Sequence, residues 1–226
     1  MSREYEVVLF DIDGTLLSTG GASDRAWAHA VRDLYGVDFD VGAHTGRGVP
    51  DPEVGRIVLR SVLEREPSGR ELLRLMRQRM KYLPDEVERS PGYRVKPGVP
   101  ELLEKLTTED YLLGLTTGNV EPAAHAKLAR GGLDHYFSFG GYGSDASERV
   151  ELTRRAIERA RRFVGEELPA AVILAVGDTP RDVEAGHGAG VKVVGVATGE
   201  YSVADLEGAG ADWAVPTLVD GLPPLK

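Results

Sequence analysis

From about residue 90 onward, short apolar runs alternate with stretches of helical spacing, and this alternation limits the fold more than any other feature. Runs at 111–116, 136–140, 170–176, 191–196 and 212–215 read as strands. The intervening stretches at about 97–107, 121–130, 146–163, 180–189 and 202–208 read as helices. Strands alternating with helices specify a parallel sheet covered on both faces. A further apolar run, Val7 to Phe10, stands alone near the other end of the chain. Between about 20 and 85 the pattern is helical throughout. Ser23 or Asp24 is placed to cap a helix running to Tyr35, with Ala26, Trp27, Ala30, Val31 and Leu34 on its apolar face and Gly36 as its stop. A second helix starts near Asp51 and Pro52. A third spans about 70–83, after the break at Pro67, Ser68 and Gly69. The expectation is an α/β core built from the first strand and the second half, with an all-helical insert between them.

The lone run ends in Asp11, Ile12, Asp13, Gly14 and Thr15. A continuous apolar run suits a strand buried on both faces, and ligands of such sheets bind beyond the carboxyl ends of the strands. Side-chain alternation turns Asp11 and Asp13 one way and Ile12 the other. Two carboxylates this close repel unless a cation or a shared proton intervenes, which points to a hard cation such as Mg2+. On its own, Asp-x-Asp-Gly is also compatible with a pair of turn or cap aspartates.

Other strand ends add candidates. The run to Val176 continues into Gly177, Asp178, Thr179, Pro180, Arg181 and Asp182. Pro180 suits the first position of a helix. Asp178 then lies at the strand tip and Asp182 in the first helical turn, where both can reach one cation. Asp182 three residues after Thr179 also fits a capping box. The run to Thr116 continues into Thr117, Gly118 and Asn119 before Pro122. A hydroxyl, a small residue and exposed amides before a helix form a phosphate cradle, and Asn119 is also placed to cap that helix. Arg149 follows Asp145 and Glu148, a second capping-box pattern, on a helix that also carries Arg154, Arg155, Arg159, Arg161 and Arg162. Spacing alone reads these arginines as a solvated face. The position of Arg149, after the third strand of the chain at 136–140, sets it at the ligand end of the sheet.

Composition sets outer limits. A chain of 226 residues holds one large domain or one domain with an insert, and it has no cysteine, so disulfides and thiolate chemistry are excluded. The formal charge of −9 argues against broad nucleic-acid binding. No apolar run approaches the roughly 20 residues of a membrane span. The first residues lead directly into a strand, so no signal peptide is expected, and the expected location is cytoplasmic.

Taken together, Asp11-Ile12-Asp13-Gly14-Thr15, the strand-end Thr117, the basic Arg149 and Gly177-Asp178-Thr179-Pro180-Arg181-Asp182 resemble the haloacid dehalogenase-like hydrolase superfamily over nearly the whole chain. The resemblance is to its phosphatase branch with a helical cap, phosphoglycolate phosphatase-like. It implies a Rossmann-like core from residues 1–17 and 90–226, with a helical cap domain at 18–89. It also implies Mg2+-dependent phosphoryl transfer to an aspartate. On that resemblance Asp11 is the nucleophile and Asp13 the general acid/base. Thr117 binds phosphoryl oxygens with help from Gly118 and Asn119. Arg149 holds the phosphoryl group where most members have lysine. Asp11, the main-chain carbonyl of Asp13, and Asp178 bind Mg2+, with Asp182 helping directly or through water. Asp13 argues against the dehalogenase and phosphonatase branches, which lack it. A sugar-phosphate mutase is the alternative within the superfamily, weakened by Ser23 where mutases carry histidine. A non-catalytic binding protein of the same fold is the alternative outside catalysis.

Specificity is expected from the cap. Arg47, in the glycine-rich stretch 41–50, is placed to grip a carboxylate or second phosphate, or else to pair with a surface acid. The expected partner is a small phosphorylated substrate, with no nucleic acid and no membrane, for a monomer or homodimer.

Overall fold

The computed structural model describes residues 5–46, 48–165 and 168–225. Its centre is a six-stranded parallel sheet in the order β5-β4-β1-β6-β7-β8. The strands are β1 (Val7–Phe10), β4 (Leu112–Thr116), β5 (Gly140–Gly141), β6 (Ile173–Gly177), β7 (Lys192–Val196) and β8 (Trp213–Val215). The helices α4 (Val99–Thr108), α5 (Glu121–Arg130), α6 (Arg149–Val164), α7 (Pro180–Gly188) and α8 (Val203–Gly208) connect them. Alternation along β1 divides the core: Val8, Phe10 and Ile12 pack into one buried cluster, Val7 and Leu9 into the other. The sheet therefore has apolar cover on both faces, as a parallel sheet requires.

Register fixes where the site can be. Phe10 is level with Leu115 on one side and Val176 on the other. One residue further on, Asp11 N–H donates to the Val176 carbonyl at 2.9 Å. The strand tips carrying Asp11, Thr117 and Asp178 consequently emerge side by side.

The insert holds three helices, α1 (Ala22–Tyr35), α2 (Asp51–Leu63) and α3 (Gly69–Arg89). They enclose a small core of their own around Trp27, Val31, Val58, Leu59 and Leu75. A two-stranded antiparallel ribbon, β2 (Leu17–Ser18) with β3 (Arg94–Val95), joins the insert to the sheet domain. This ribbon carries no alternation long enough to read from sequence.

Several local expectations differ from the structure. The run at 136–140 is not a strand: a 3-10 turn covers Asp134–Tyr136, and pairing is confined to Gly140–Gly141. Its aromatics instead pack the two sides of the sheet, Phe137 in one cluster and Phe139 in the other. Helix α3 does not stop at Leu83 but continues through Pro84 to Arg89. The extra turns bury Val87 with Val120 and Ala123, which outweighs the hydrogen bond that proline forfeits. Ser23 and Asp24 lie inside α1, whose N-cap is Gly21. Asp145 does not cap α6, which starts from Glu148 without a side-chain cap. Asp145 instead accepts from Tyr142 N–H and pairs with Arg159 at 2.6 Å.

Asp51, one half of a buried ion pair within the insert, ties the insert to the sheet domain. Arg79 is fully buried on α3, pairs with Asp51 at 2.7 Å, donates to Ser23 Oγ at 3.0 Å and stacks over Trp27 at 4.5 Å. Asp51 in turn accepts from Val120 N–H at 2.9 Å, while its own N–H donates to the Gly118 carbonyl at 2.7 Å. Arg79→Met removes the partner of a buried carboxylate. It is expected to cost about 3–5 kcal/mol in denaturant unfolding, and Arg79→Met with Asp51→Leu is expected to cost less than Arg79→Met alone. A double variant no better than the single one would contradict this reading of the pair.

Candidate active site

The strand tips open into a cavity of about 460 Å3 between sheet domain and insert. Asp11, Asp13, Thr117, Arg149 and Asp178 line its floor, and Ser23, Trp27 and Asp51 line the insert side. Ile12, between the two acids, is buried in the core, as strand alternation dictates.

One ligand oxygen each from Asp11, Asp178 and Asp182 lies within 4.8 Å of the others, and all three residues are buried. The local chain is shaped to hold them. Gly14 has φ of +95°, and a Cβ there would lie 2.1 Å from Asp178 Oδ2, so only glycine lets the Asp11–Thr15 turn pass this carboxylate. Thr15 Oγ1 donates to Asp178 Oδ1 at 3.1 Å, and Thr198 Oγ1 donates to the Gly14 carbonyl at 2.7 Å. Asp182 serves in two ways. Its Oδ2 accepts from Thr179 N–H at 3.0 Å and Thr179 Oγ1 at 2.7 Å, which is the capping box, while Oδ1 accepts from Arg149.

Arg149 leaves the solvated face expected of its neighbours. Its guanidinium is nearly buried, touches Asp182, lies 3.5 Å from Asp11 Oδ1 and donates to the Gly48 carbonyl of the insert at 3.2 Å. Burial alone would lower its pKa, but the charges of Asp182 and Asp11 raise it instead. Arg149 is a permanent cation here.

The acids show the complementary stress. Burial, opposed by Arg149 and reinforced by Asp182 and Asp13, pushes Asp11 up to about 7. Asp178 is pushed up to about 8, by burial first and then by Asp182 and Asp11. Ionised, the three clustered carboxylates outnumber the Arg149 guanidinium, the one cation ion-paired with them among the described residues, by two charges, a deficit that a divalent cation makes good. An all-oxygen donor set of carboxylates is what a hard divalent cation prefers.

Asp13 is placed differently. Its carboxylate is not part of the cluster. Oδ2 accepts from Lys127 Nζ at 2.6 Å and from Asn119 Nδ2 at 2.7 Å. Burial would raise its pKa, but Lys127 and Asn119 outweigh that and hold it below the usual carboxylate range. Any share Asp13 takes in holding a cation therefore falls to its main chain, not its side chain. Asn119 is not the helix cap expected of it, since Val120 occupies the N-cap of α5. Its side chain instead joins Asp13, Lys127 and Thr117 Oγ1, the last at 2.9 Å. Thr117 is buried at the tip of β4, followed by Gly118 on the cavity wall. Arg47 lies outside the described residues.

Sequence reasoning missed Lys127, Thr15, Asp51 and Arg79. Lys127 did leave a signal: it falls on the same buried face of α5 as Ala123, Ala124 and Leu128, where an apolar residue is expected.

Known proteins resemble this chain along most of its length. The chain is 29% identical over 218 residues to a phosphoglycolate phosphatase of Synechococcus elongatus, covering 95% of this chain and 94% of that one. It is 30% identical over 215 residues to a probable phosphatase, IndB, of Dickeya dadantii, covering 94% and 90%. Among solved structures, CbbY from Rhodobacter sphaeroides, crystallised in complex with phosphate, superposes with a TM-score of 0.75 at 20% identity, covering 98% and 99%. The family model described as haloacid dehalogenase-like hydrolase matches residues 5–190, and the chain belongs to that family.

Proposed function

We propose that this protein is a Mg2+-dependent phosphatase that hydrolyses a small organic phosphate monoester through an aspartyl phosphate on Asp11. The observation that carries the proposal is the meeting of Asp11, Asp178 and Asp182 beside Arg149, at the floor of a cavity whose wall holds Thr117 and Gly118. Bound at the three carboxylates and the Asp13 main chain, Mg2+ supplies positive charge that offsets the phosphoryl oxygens and the repulsion between acids.

In the first step an Asp11 oxygen attacks phosphorus, and the bond from phosphorus to the ester oxygen breaks. Asp13, ionised in the empty site, takes up a proton as substrate binds and gives it to the departing alkoxide. Arg149 neutralises charge on the equatorial oxygens, and the hydroxyl of Thr117 and the main-chain N–H of Gly118 orient them. In the second step water attacks phosphorus, Asp13 takes its proton, and Asp11 departs as carboxylate with release of phosphate. Position supports this partition of roles: Asp11 belongs to the carboxylate cluster, while Asp13 faces Lys127 and Asn119 outside it.

Residues 18–89 act in this reading as a cap that closes the cavity and selects the substrate. The cavity volume and the phosphoglycolate phosphatase among the relatives favour a short, acidic phosphate ester. Among the described residues no helix is long and apolar enough to cross a membrane, in keeping with a small dissolved substrate.

Metal and protons compete for the same carboxylates, which fixes a sign. Asp11 and Asp178 have folded pKa values of about 7 and about 8, above the unfolded value of about 4. The metal-free fold therefore holds more protons than the unfolded chain across that window, and its stability falls as pH rises through it. Mg2+ is expected to raise Tm more at about pH 8 than at about pH 5, and turnover of short phosphate monoesters is expected to require it. Equal Tm gains at both pH values, with turnover surviving chelation, would overturn the proposal.

A further inference from the structure

Lys127 has no part in the chemistry set out above, yet it is the most thoroughly buried lysine at the cavity, 2% exposed. An ammonium ion out of water is costly unless its hydrogen bonds are met. Here they are met by two residues of the candidate site. Nζ donates to Asp13 Oδ2 at 2.6 Å and to Asn119 Oδ1 at 2.6 Å. Asn119 Nδ2 closes the ring by donating to the same Asp13 Oδ2 at 2.7 Å, and also reaches Thr117 Oγ1. Both donors to Asp13 thus converge on one oxygen. Among the described residues, Oδ1 meets no donor.

The arrangement does not suit a phosphoryl ligand. Lys127 contacts Asp13 and Asn119, whereas the cation at the proposed nucleophile is Arg149. Neither does it suit a packing role alone, because the neighbours of Lys127 on α5 are Ala123, Ala124 and Leu128, and an apolar residue would continue that face at lower cost.

We propose that Lys127 is a positioning residue: with Asn119 it pins the Asp13 carboxylate through Oδ2, so that Oδ1 is the oxygen presented to the leaving group. The inference rests on the reading of Asp13 as proton donor to the ester oxygen. It makes Lys127 matter in proportion to how much the leaving group needs that proton.

The test is kcat/KM for a leaving-group series, since that ratio reports the phosphoryl-transfer step. Lys127→Met is expected to lose about 10²-fold or more on an alkyl phosphate and less than about fivefold on p-nitrophenyl phosphate, whose leaving group departs without help. Inhibition by inorganic phosphate is expected to be unchanged. Lys127→Gln, which keeps a neutral donor in reach of Asp13, is expected to lose about tenfold, confined to the alkyl ester; it carries the same readout if Lys127→Met does not fold. A loss of equal size on both esters would reduce Lys127 to a structural role and overturn the proposal. Weakened phosphate inhibition would make it a phosphoryl ligand and overturn it equally. Asp13→Asn separates this from the parent reading. If Asp13→Asn shows the alkyl-selective loss and Lys127→Met does not, only the positioning proposal falls. If Asp13→Asn spares the alkyl ester as well, the acid/base reading falls first.

Discussion

Asp11→Asn is expected to lower kcat by on the order of 10⁵–10⁶-fold, the scale of removing the nucleophile from a covalent mechanism. The carboxamide has nearly the shape of the carboxylate but no charge with which to attack phosphorus. Stability is expected to move the other way. Burial is the largest influence on Asp11 and disfavours its ionised form, and Asp182 and Asp13 add repulsion. A neutral isostere relieves both, so without Mg2+ and above about pH 7 the variant is expected to melt no lower than the parent. Activity lost with the fold intact separates a chemical role from a structural one. Substantial turnover remaining in Asp11→Asn would place the nucleophile elsewhere.

Arg149→Met carries the second large effect, about 10²–10³-fold in kcat. Among the described residues Arg149 is the one cation touching both Asp11 and Asp182, and its removal strips the transition state of a fixed positive charge. It also leaves three buried carboxylates without their counter-charge. The metal-free variant is therefore expected to lose stability as pH rises, and Mg2+ is expected to recover more stability in it than in the parent. Arg149→Lys keeps the charge but not the fork that spans Asp182, Asp11 and the Gly48 carbonyl. An intermediate loss is expected for it, with part of that loss in KM, because the Gly48 contact reaches the insert. Arg149→Met with kcat within about tenfold of the parent would exclude direct stabilisation of the phosphoryl group.

Much of this site was legible because strand ends are legible. An apolar run ending in Asp11, Ile12 and Asp13 forces its alternation and its place at the carboxyl end of the sheet. The same logic places Thr117 beyond β4 and Asp178 beyond β6, and parallel pairing in register makes the three tips neighbours. Asp182 and Asn119 were legible only as ambiguities. Asp182 turned out to use separate oxygens for the cap and for Arg149, whereas Asn119 caps nothing and belongs to the Asp13 cluster.

What stayed hidden was tertiary. Arg79 reads as a surface residue of a long charged helix until Asp51, Ser23 and Trp27 surround it. Pro84 reads as a helix stop until Val87 finds its place against Val120 and Ala123. At 136–140 the aromatic residues looked like a strand because burial on both sides of a sheet leaves the same mark as pairing. In each case contacts distant in sequence outweighed local propensity.

The account rests on a covalent bond to one carboxylate, and that bond can be trapped. Asp13→Asn removes the base for the second step, while p-nitrophenyl phosphate needs little acid in the first, so the intermediate is expected to accumulate with Mg2+ present. Acid quenching followed by borohydride reduction converts an aspartyl phosphate to homoserine, which peptide mass spectrometry locates. The account predicts homoserine at position 11, dependent on substrate and Mg2+. Release of p-nitrophenol with residue 11 recovered unchanged, or homoserine at any other position, would contradict it.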